Sequence, residues 1–423
     1  MAVFILLLCQ IISYVDRSAV SVLLPEIKKE FGASDAELGL LSGLAFTASY
    51  ALVGLWVARV ADRGNRRNII ALAVLVWSVM TALTGGATSF LILLLARIGV
   101  GAGESGCVPP THSMFADMFP LKERVAVLSI YSAGQPLGAM IGLSLGGWLS
   151  QIVGWRETFY IFGVAGVLLV PIVLMWVSEP QRSHSAAAPG SSNIWADLKL
   201  LFGRKSYAYL LAGLAFSGFP VGGLVAWLPS FYARTFHVGV GEIGTYFGLA
   251  YGIGSMTGIL IGGLIATPLV VKDTRWALFI PIGGYIVASP FILASLFVPS
   301  FHLAVGLLFI GFAILTSGFG SVYALIQTVV PSTLRALAVA LTILASNLIG
   351  VGLGPVVVGT VSDIAQANGF ADALRIGLLA GMLFYPFPPV FYLFGTRHVA
   401  ADIASEQSSS AAALPADMRP AAA

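Results

Sequence analysis

Charge is what this chain has least of. Of 423 residues, 22 are Lys or Arg and 19 are Asp or Glu, so 10% are charged. An ordinary soluble protein carries about 25%. A soluble chain of this length would form two or three domains and need far more charge on its surface. The formal net charge of +3 is too small for a nucleic-acid footprint. Cysteine is scarce too. Cys9 and Cys107 are the only two, both lie in apolar runs, and both read as unpaired packing thiols. No metal-ligand spacing, nucleophile–base set or phosphate loop is present, so neither a cofactor nor an enzyme activity is expected. A basic segment ahead of the first apolar run is missing as well. Asp16-Arg17 interrupts that run where a signal peptide would be cleaved. The run is therefore read as a membrane span, and a natural N-terminal tail is expected ahead of it.

What is abundant is apolar: 58% of residues are hydrophobic. A membrane helix needs about 20 such residues in a row. Runs of that length fall near residues 2–24, 38–58, 68–88, 90–114, 125–149, 157–178, 207–230, 243–266, 276–298, 302–329, 337–361 and 376–396. The expected fold class is an all-α membrane protein of twelve spans. Gly101-Ala-Gly103-Glu-Ser-Gly106 matches the G-x-G-x-x-G fingerprint of dinucleotide-binding turns. That fingerprint requires a strand before it and a helix after it. Here the glycines interrupt the fourth apolar run, where glycine lets neighbouring helices approach closely.

Lys and Arg orient the spans, because positive loops stay in the cytoplasm. With both termini inside, cytoplasmic segments hold fifteen of them and external segments five, while Arg17 and Arg97 lie within spans. The expectation is a multi-pass protein of a bacterial inner membrane, both termini cytoplasmic, monomeric and surrounded by membrane lipids. A Ser/Ala/Pro-rich linker, residues 179–206, divides two six-span bundles, residues 1–178 and 207–396. An Ala/Ser-rich tail, residues 397–423, is expected to be disordered. The halves echo each other at an offset of 211 residues: Phe119-Pro120 with Arg124 matches Val330-Pro331 with Arg335. A six-plus-six duplication is a transporter architecture with its site between the halves.

The stretch ARVADRGNRR, Ala58 to Arg67, resembles the loop signature of the major facilitator superfamily, G-x-L-A-D-R-x-G-R-R. Ala61, Asp62, Arg63, Arg66 and Arg67 match; Ala58, Val60 and Asn65 depart from it. The resemblance implies that Asp62, with Arg63, Arg66 and Arg67 beside it, helps lock the halves in an outward-open state. Tyr14-Val15-Asp16-Arg17 in span 1, Arg97 through Glu104 in span 4, and Asn347 through Asp363 in span 11 look like the Spinster family. Those are proton-linked transporters of sphingolipids and lysophospholipids. The same Asp-Arg pair and Arg-to-Glu spacing also resemble organic anion:cation symporters.

A charge at the bilayer centre costs about 2.5–3.5 kcal/mol on insertion scales, so four of them need a reason. Arg97 and Glu104 stand two helical turns apart on one face of their helix. Asp16 and Arg17 are adjacent and face different neighbours. Either these form a permanent ion network, or Arg17 or Arg97 exchanges between Asp16 and Glu104. Exchange would couple transport to protons, because a carboxylate that loses its arginine changes its proton affinity. Glu104 is the first candidate for the proton carrier and Asp16 the second. At the 211 offset the C-terminal half has Leu308 and Leu315 in place of Arg97 and Glu104, so proton chemistry is expected in the N-terminal half alone. Gln135, Asn347, Ser317, Phe216, Phe219, Trp227 and Tyr251 are the candidates for the substrate chamber. Glu242 and Asp363, near external span ends, are read as caps or solvated groups. The function expected is proton-coupled transport of an amphiphilic lipid by alternating access. Small organic-anion symport and uncoupled lipid scrambling are the alternatives.

Overall fold

The computed structural model describes residues 1–61, 63–181, 194–331 and 334–412. Among them there are helices and turns and no strand. Hydrocarbon offers no partner to a bare N–H or C=O, so each crossing segment must bond its own backbone. Twelve helices of 19 to 34 residues are long and apolar enough to cross. They are span 1 (Ala2–Phe31), span 2 (Asp35–Ala61), span 3 (Arg66–Gly85), span 4 (Phe90–Met118), span 5 (Ala126–Val153) and span 6 (Trp155–Trp176), followed by span 7 (Lys205–Phe236), span 8 (Val240–Lys272), span 9 (Trp276–Ala294), span 10 (Phe301–Val329), span 11 (Leu337–Ala367) and span 12 (Ala373–Glu406). An even number of crossings puts both chain termini at one end of the bundle, the terminal end. The opposite end is the far end.

Several spans are broken, and the breaks follow small residues. Span 2 starts on a capping box at Ser34 and Glu37 and turns again at Gly43. Span 4 turns at residues 105–107, directly after Glu104. Span 10 tightens into a 3₁₀ turn at Thr316–Gly318, where the 211 offset carries the span 4 break. Span 11 widens into a π-helical stretch, Ser346–Gly352, that contains Asn347. Such widened turns leave a backbone register that often marks functional sites.

Glycine holds the spans together. A Cβ on Gly142 of span 5 would lie 2.3 Å from the Val15 carbonyl oxygen of span 1, and one on Gly138 would lie 2.5 Å from the Ile11 carbonyl oxygen. On the other side of span 5, a Cβ on Gly244 of span 8 would lie 2.1 Å from the Leu143 carbonyl oxygen. Span 5 is thus wedged between its own half and the other one. The halves also meet where span 2 packs on span 11: Gly39 lies against Pro355 and Gly43 against Gly352.

Two boundary expectations need correction. The linker region holds a helix, Ile194–Gly203, and span 7 already begins at Lys205. The last helix continues to Ala412, well into the segment expected to be disordered. Asp402 explains this. Its carboxylate accepts the Ser206 backbone N–H at 2.9 Å and the Ser206 hydroxyl at 2.6 Å, capping the start of span 7. Arg204 pairs with Glu406 at 3.5 Å.

Candidate functional site

The four charges of the N-terminal half form two ion pairs. Arg97 of span 4 donates to Asp16 Oδ1 of span 1 at 3.1 Å. Asp16 Oδ2 accepts the Thr81 hydroxyl of span 3 at 2.7 Å, so both of its oxygens are bonded. Arg17 donates to Glu104 Oε2 at 3.0 Å, while Glu104 Oε1 is buried and makes no full hydrogen bond, with Ser13 of span 1 the nearby side-chain donor. Adjacent residues on a helix point about 100° apart, which is why Asp16 and Arg17 reach different arginine and glutamate partners. Glu104, Arg97 and Asp16 side chains are 1–3% exposed; that of Arg17 is 24% exposed. Arg17 is the one member of the quartet with appreciable exposure.

Aromatic faces hold the half-buried Arg17 side chain. Arg17 lies 4.3 Å from the Phe46 ring centroid, 4.7 Å from Tyr14 and 5.3 Å from Tyr50. Phe46 also lies 5.5 Å from Arg97, so one ring serves both arginines through its negative face. The glycines of span 4 make this possible. A Cβ on Gly101 would lie 2.5 Å from the Phe46 carbonyl oxygen and 2.4 Å from Ser49 Oγ; one on Gly103 would lie 2.6 Å from the Trp77 backbone nitrogen. They are packing glycines, as expected from their place in an apolar run. Leu308 and Leu315, opposite in the pseudo-repeat, are buried hydrophobics.

In the loop signature, Asp62 lies outside the described residues. Arg66 is 1% exposed and spends its donors inside the N-terminal half: Nε to Glu179 at 2.7 Å, one terminal nitrogen to Ser113 at 3.1 Å and to Asp117, and the other to the Pro180 carbonyl at 2.9 Å. The Arg67 backbone N–H adds a bond to Glu179 at 2.9 Å, while Arg63 is exposed. Arg66 therefore ties the bases of spans 3, 4 and 6 together and does not reach the other half.

The expected chamber residues divide. Gln135 is exposed and Asn347 half-buried. Tyr251 of span 8 packs edge-on against Phe312 of span 10 at 5.2 Å and is a C-terminal-half residue near Arg17. The others pack against neighbouring spans. Trp227 is fully buried and donates Nε1–H to the Pro355 carbonyl at 2.8 Å, fastening span 7 to span 11. Phe216 stacks on Phe387 and Phe391, and Phe219 lies 4.2 Å from the Phe384 ring, so both pack spans 7 and 12. Ser317 donates back to the Ile314 carbonyl and lies against Gly262. Asp363 does cap a helix, but one of the opposite half: its carboxylate accepts the backbone N–H groups of Asp35 and Ala36. Phe46, Tyr50 and Thr81 are site residues that sequence reasoning missed. The one available signal was Phe46 and Tyr50 at i, i+4 on span 2, a single helix face.

A profile of the Major Facilitator Superfamily matches residues 6–355. The chain belongs to the major facilitator superfamily. It is 35% identical over 378 residues to an MFS-type efflux pump of Mycolicibacterium smegmatis, covering 89% of this chain and 88% of that one. It is 27% identical over 412 residues to a sphingosine-1-phosphate transporter of Danio rerio, covering 92% and 81%. Among solved structures it is similar to a bacterial homolog of the human lysosomal transporter Spinster, inward-facing and unoccupied. There the TM-score is 0.86 at 28% identity over 95% and 97% of the two chains. This major facilitator is a multi-pass membrane transporter and not an enzyme, and it resembles the Spinster members of the superfamily.

Proposed function

We propose that this transporter couples the movement of an anionic amphiphile to protons through Glu104, by alternating access. The observation that carries the reading is the buried Oε1 of Glu104, without a full hydrogen bond, beside an arginine that is itself 24% exposed. When a substrate anion draws Arg17 away, Glu104 is left in a low-dielectric site without its cation. A buried carboxyl so stranded gains affinity for a proton. Returning Arg17 to Glu104 expels that proton. Asp16 is already doubly bonded by Arg97 and Thr81 and acts as the gate partner that positions Arg97.

A partly exposed cation ringed by Tyr14, Phe46 and Tyr50, with Tyr251 nearby, supports a substrate with a phosphate or carboxylate head and an apolar body. Likeness to a sphingosine-1-phosphate transporter supports a lipid such as a lysophospholipid or sphingoid phosphate. Likeness to an efflux pump supports a smaller amphiphile as the second reading. The Lys and Arg bias supports a cytoplasmic terminal end in a bacterial inner membrane. The unit of transport is the monomer, with its site between its own two halves.

The test is flux in liposomes carrying an internal pH dye, under an imposed pH gradient. Lysophospholipids and small organic anions are compared in wild type and Glu104→Gln. The expected result is lipid-stimulated proton flux, lost at least tenfold in the variant. Stimulation by organic anions alone moves the protein to anion symport. Lipid redistribution without proton flux in both proteins overturns the coupling.

A further inference from the structure

The far-end seam between the halves holds a second charge cluster, one that proton coupling does not use. The Asp35 side chain, at the start of span 2, is fully buried. Arg234 of span 7 grips it with both terminal nitrogens, 3.0 Å to Oδ2 and 2.8 Å to Oδ1. Ser362 of span 11 donates to Oδ2 at 2.7 Å, and Lys28 of span 1 donates to Oδ1 at 2.5 Å. Asp363 accepts the backbone N–H of Asp35 at 2.9 Å and of Ala36 at 2.8 Å. Its carboxylate therefore satisfies the open donors at the start of span 2 from the opposite half. The backbones touch here as well: a Cβ on Gly359 would lie 2.1 Å from the Asp35 carbonyl oxygen, and one on Gly39 would lie 2.3 Å from the Pro355 carbonyl oxygen.

We propose that these residues are the far-end gate of the transport cycle, and that Lys28 is the member that lets it open. The inference rests on the alternating-access reading above. Sorted by half, the cluster divides evenly. Asp35 and Lys28 belong to the N-terminal half; Arg234, Ser362 and Asp363 belong to the C-terminal half. A simple two-member bridge strands one bare charge on each face when it parts, and an unpaired charge in a buried setting is costly. Here each half leaves with one cation and one anion. Lys28 stays with Asp35. Arg234 and Asp363, on spans 7 and 11 of the same half, are free to pair. Lys28 and Arg234 also share Oδ1 as acceptor, so Lys28 loosens the grip of Arg234 while the gate is closed.

The arrangement predicts effects of opposite sign within one cluster. Arg234→Gln and Asp363→Asn each remove two hydrogen bonds across the closed gate against the single Arg234–Asp363 pairing of the open one, so closure loses more than opening. Each raises the far-end-open population about tenfold or more, the scale of one charge-assisted hydrogen-bonded contact. Lys28→Met removes a partner that Asp35 keeps in both states and that is its only cation in the open one, so the far-end-open population falls. A merely structural role for all three residues would move every variant the same way.

The experiment is electron–electron double resonance on the full chain in lipid nanodiscs, with the buried Cys9 and Cys107 replaced. Spin labels on exposed Lys29 and Ala367 report the far end; labels on exposed Glu123 and Gln327 report the terminal end. In Arg234→Gln and in Asp363→Asn a longer far-end distance is expected to appear as the terminal-end distance shortens. Lys28→Met added to Asp363→Asn is expected to pull both distances back toward wild type. An unchanged far-end distance in both single variants, or further opening on adding Lys28→Met, overturns the proposal. The readout needs neither substrate nor a pH gradient, so its failure is distinct from failure of the proton-coupling reading.

Discussion

Glu104 and Asp16 are both carboxylates held inside the membrane by arginine, yet their bonding separates their roles. Asp16 has both oxygens engaged, by Arg97 and Thr81, and its partner Arg97 is buried with it. Asp16→Asn leaves that guanidinium without its counter-charge, and breaking a buried pair from one side costs roughly 3–5 kcal/mol. A large drop in chemical-denaturation stability is the expected outcome. Glu104→Gln is milder, because its partner Arg17 is 24% exposed and retains water. That variant is expected to fold like wild type by circular dichroism while losing proton-coupled flux. At Trp227, replacement by Phe keeps the ring volume but strands the buried Pro355 carbonyl. It is expected to cost about 1–3 kcal/mol, with substrate affinity unchanged.

Elements in this bundle are held at distances that only glycine allows. Gly142 meets the Val15 carbonyl one residue before Asp16, so its packing and the charge site share a register. Gly142→Leu is expected to force spans 1 and 5 apart, costing about 1–3 kcal/mol or more where backbone must move, and to abolish flux. Gly263→Leu is the control, since nothing lies within 4 Å of a Cβ there. Its stability is expected within about 0.5 kcal/mol of wild type. Thermal unfolding of the two variants in the same detergent checks both statements.

This scale also shows what the sequence made legible. The spans and the four buried charges stood out because hydrocarbon tolerates neither polar backbone nor charge, so any exception is conspicuous. Trp227, Phe216 and Phe219 did not, because an aromatic residue in an apolar helix has the same signature whether it faces a cavity or a neighbour. Asp35 was hidden for another reason. A carboxylate at a span boundary reads as an ordinary helix start, and its partners in the other half are 199 and 327 residues away in sequence. Asp363 read correctly as a cap, but no periodicity reveals that the capped helix belongs to the other half. Helical tail residues such as Asp402 escaped because composition alone argued for disorder, while contacts with Ser206 and Arg204 tied the segment down.

At the scale of the whole molecule, two ion clusters sit at different depths and have different work. One lies within the N-terminal half, pairs a buried glutamate with a partly exposed arginine, and is the proposed site of proton exchange. The other joins the two halves at the far end and is suited to open and close. The pseudo-repeat keeps the architecture symmetric, as the matching breaks after Glu104 and at Thr316–Gly318 attest. The chemistry is asymmetric, since Leu308 and Leu315 stand where the other half has Arg97 and Glu104. Leu308→Arg is therefore expected to lower thermal stability sharply, because the new charge enters a fully buried apolar position at a cost of about 2.5–3.5 kcal/mol.

The central claim is that Glu104 is the group that takes up and gives back the proton. Infrared difference spectroscopy of the purified protein, titrated with acid, tests it most directly. Against the C=O bands of the exposed carboxyls, which all variants share, one further band from a buried carboxyl is expected on acidification in wild type and in Asp16→Asn, and that band alone is expected to be absent in Glu104→Gln. A buried-carboxyl band that persists in Glu104→Gln and disappears in Asp16→Asn would contradict the account and assign the proton to Asp16.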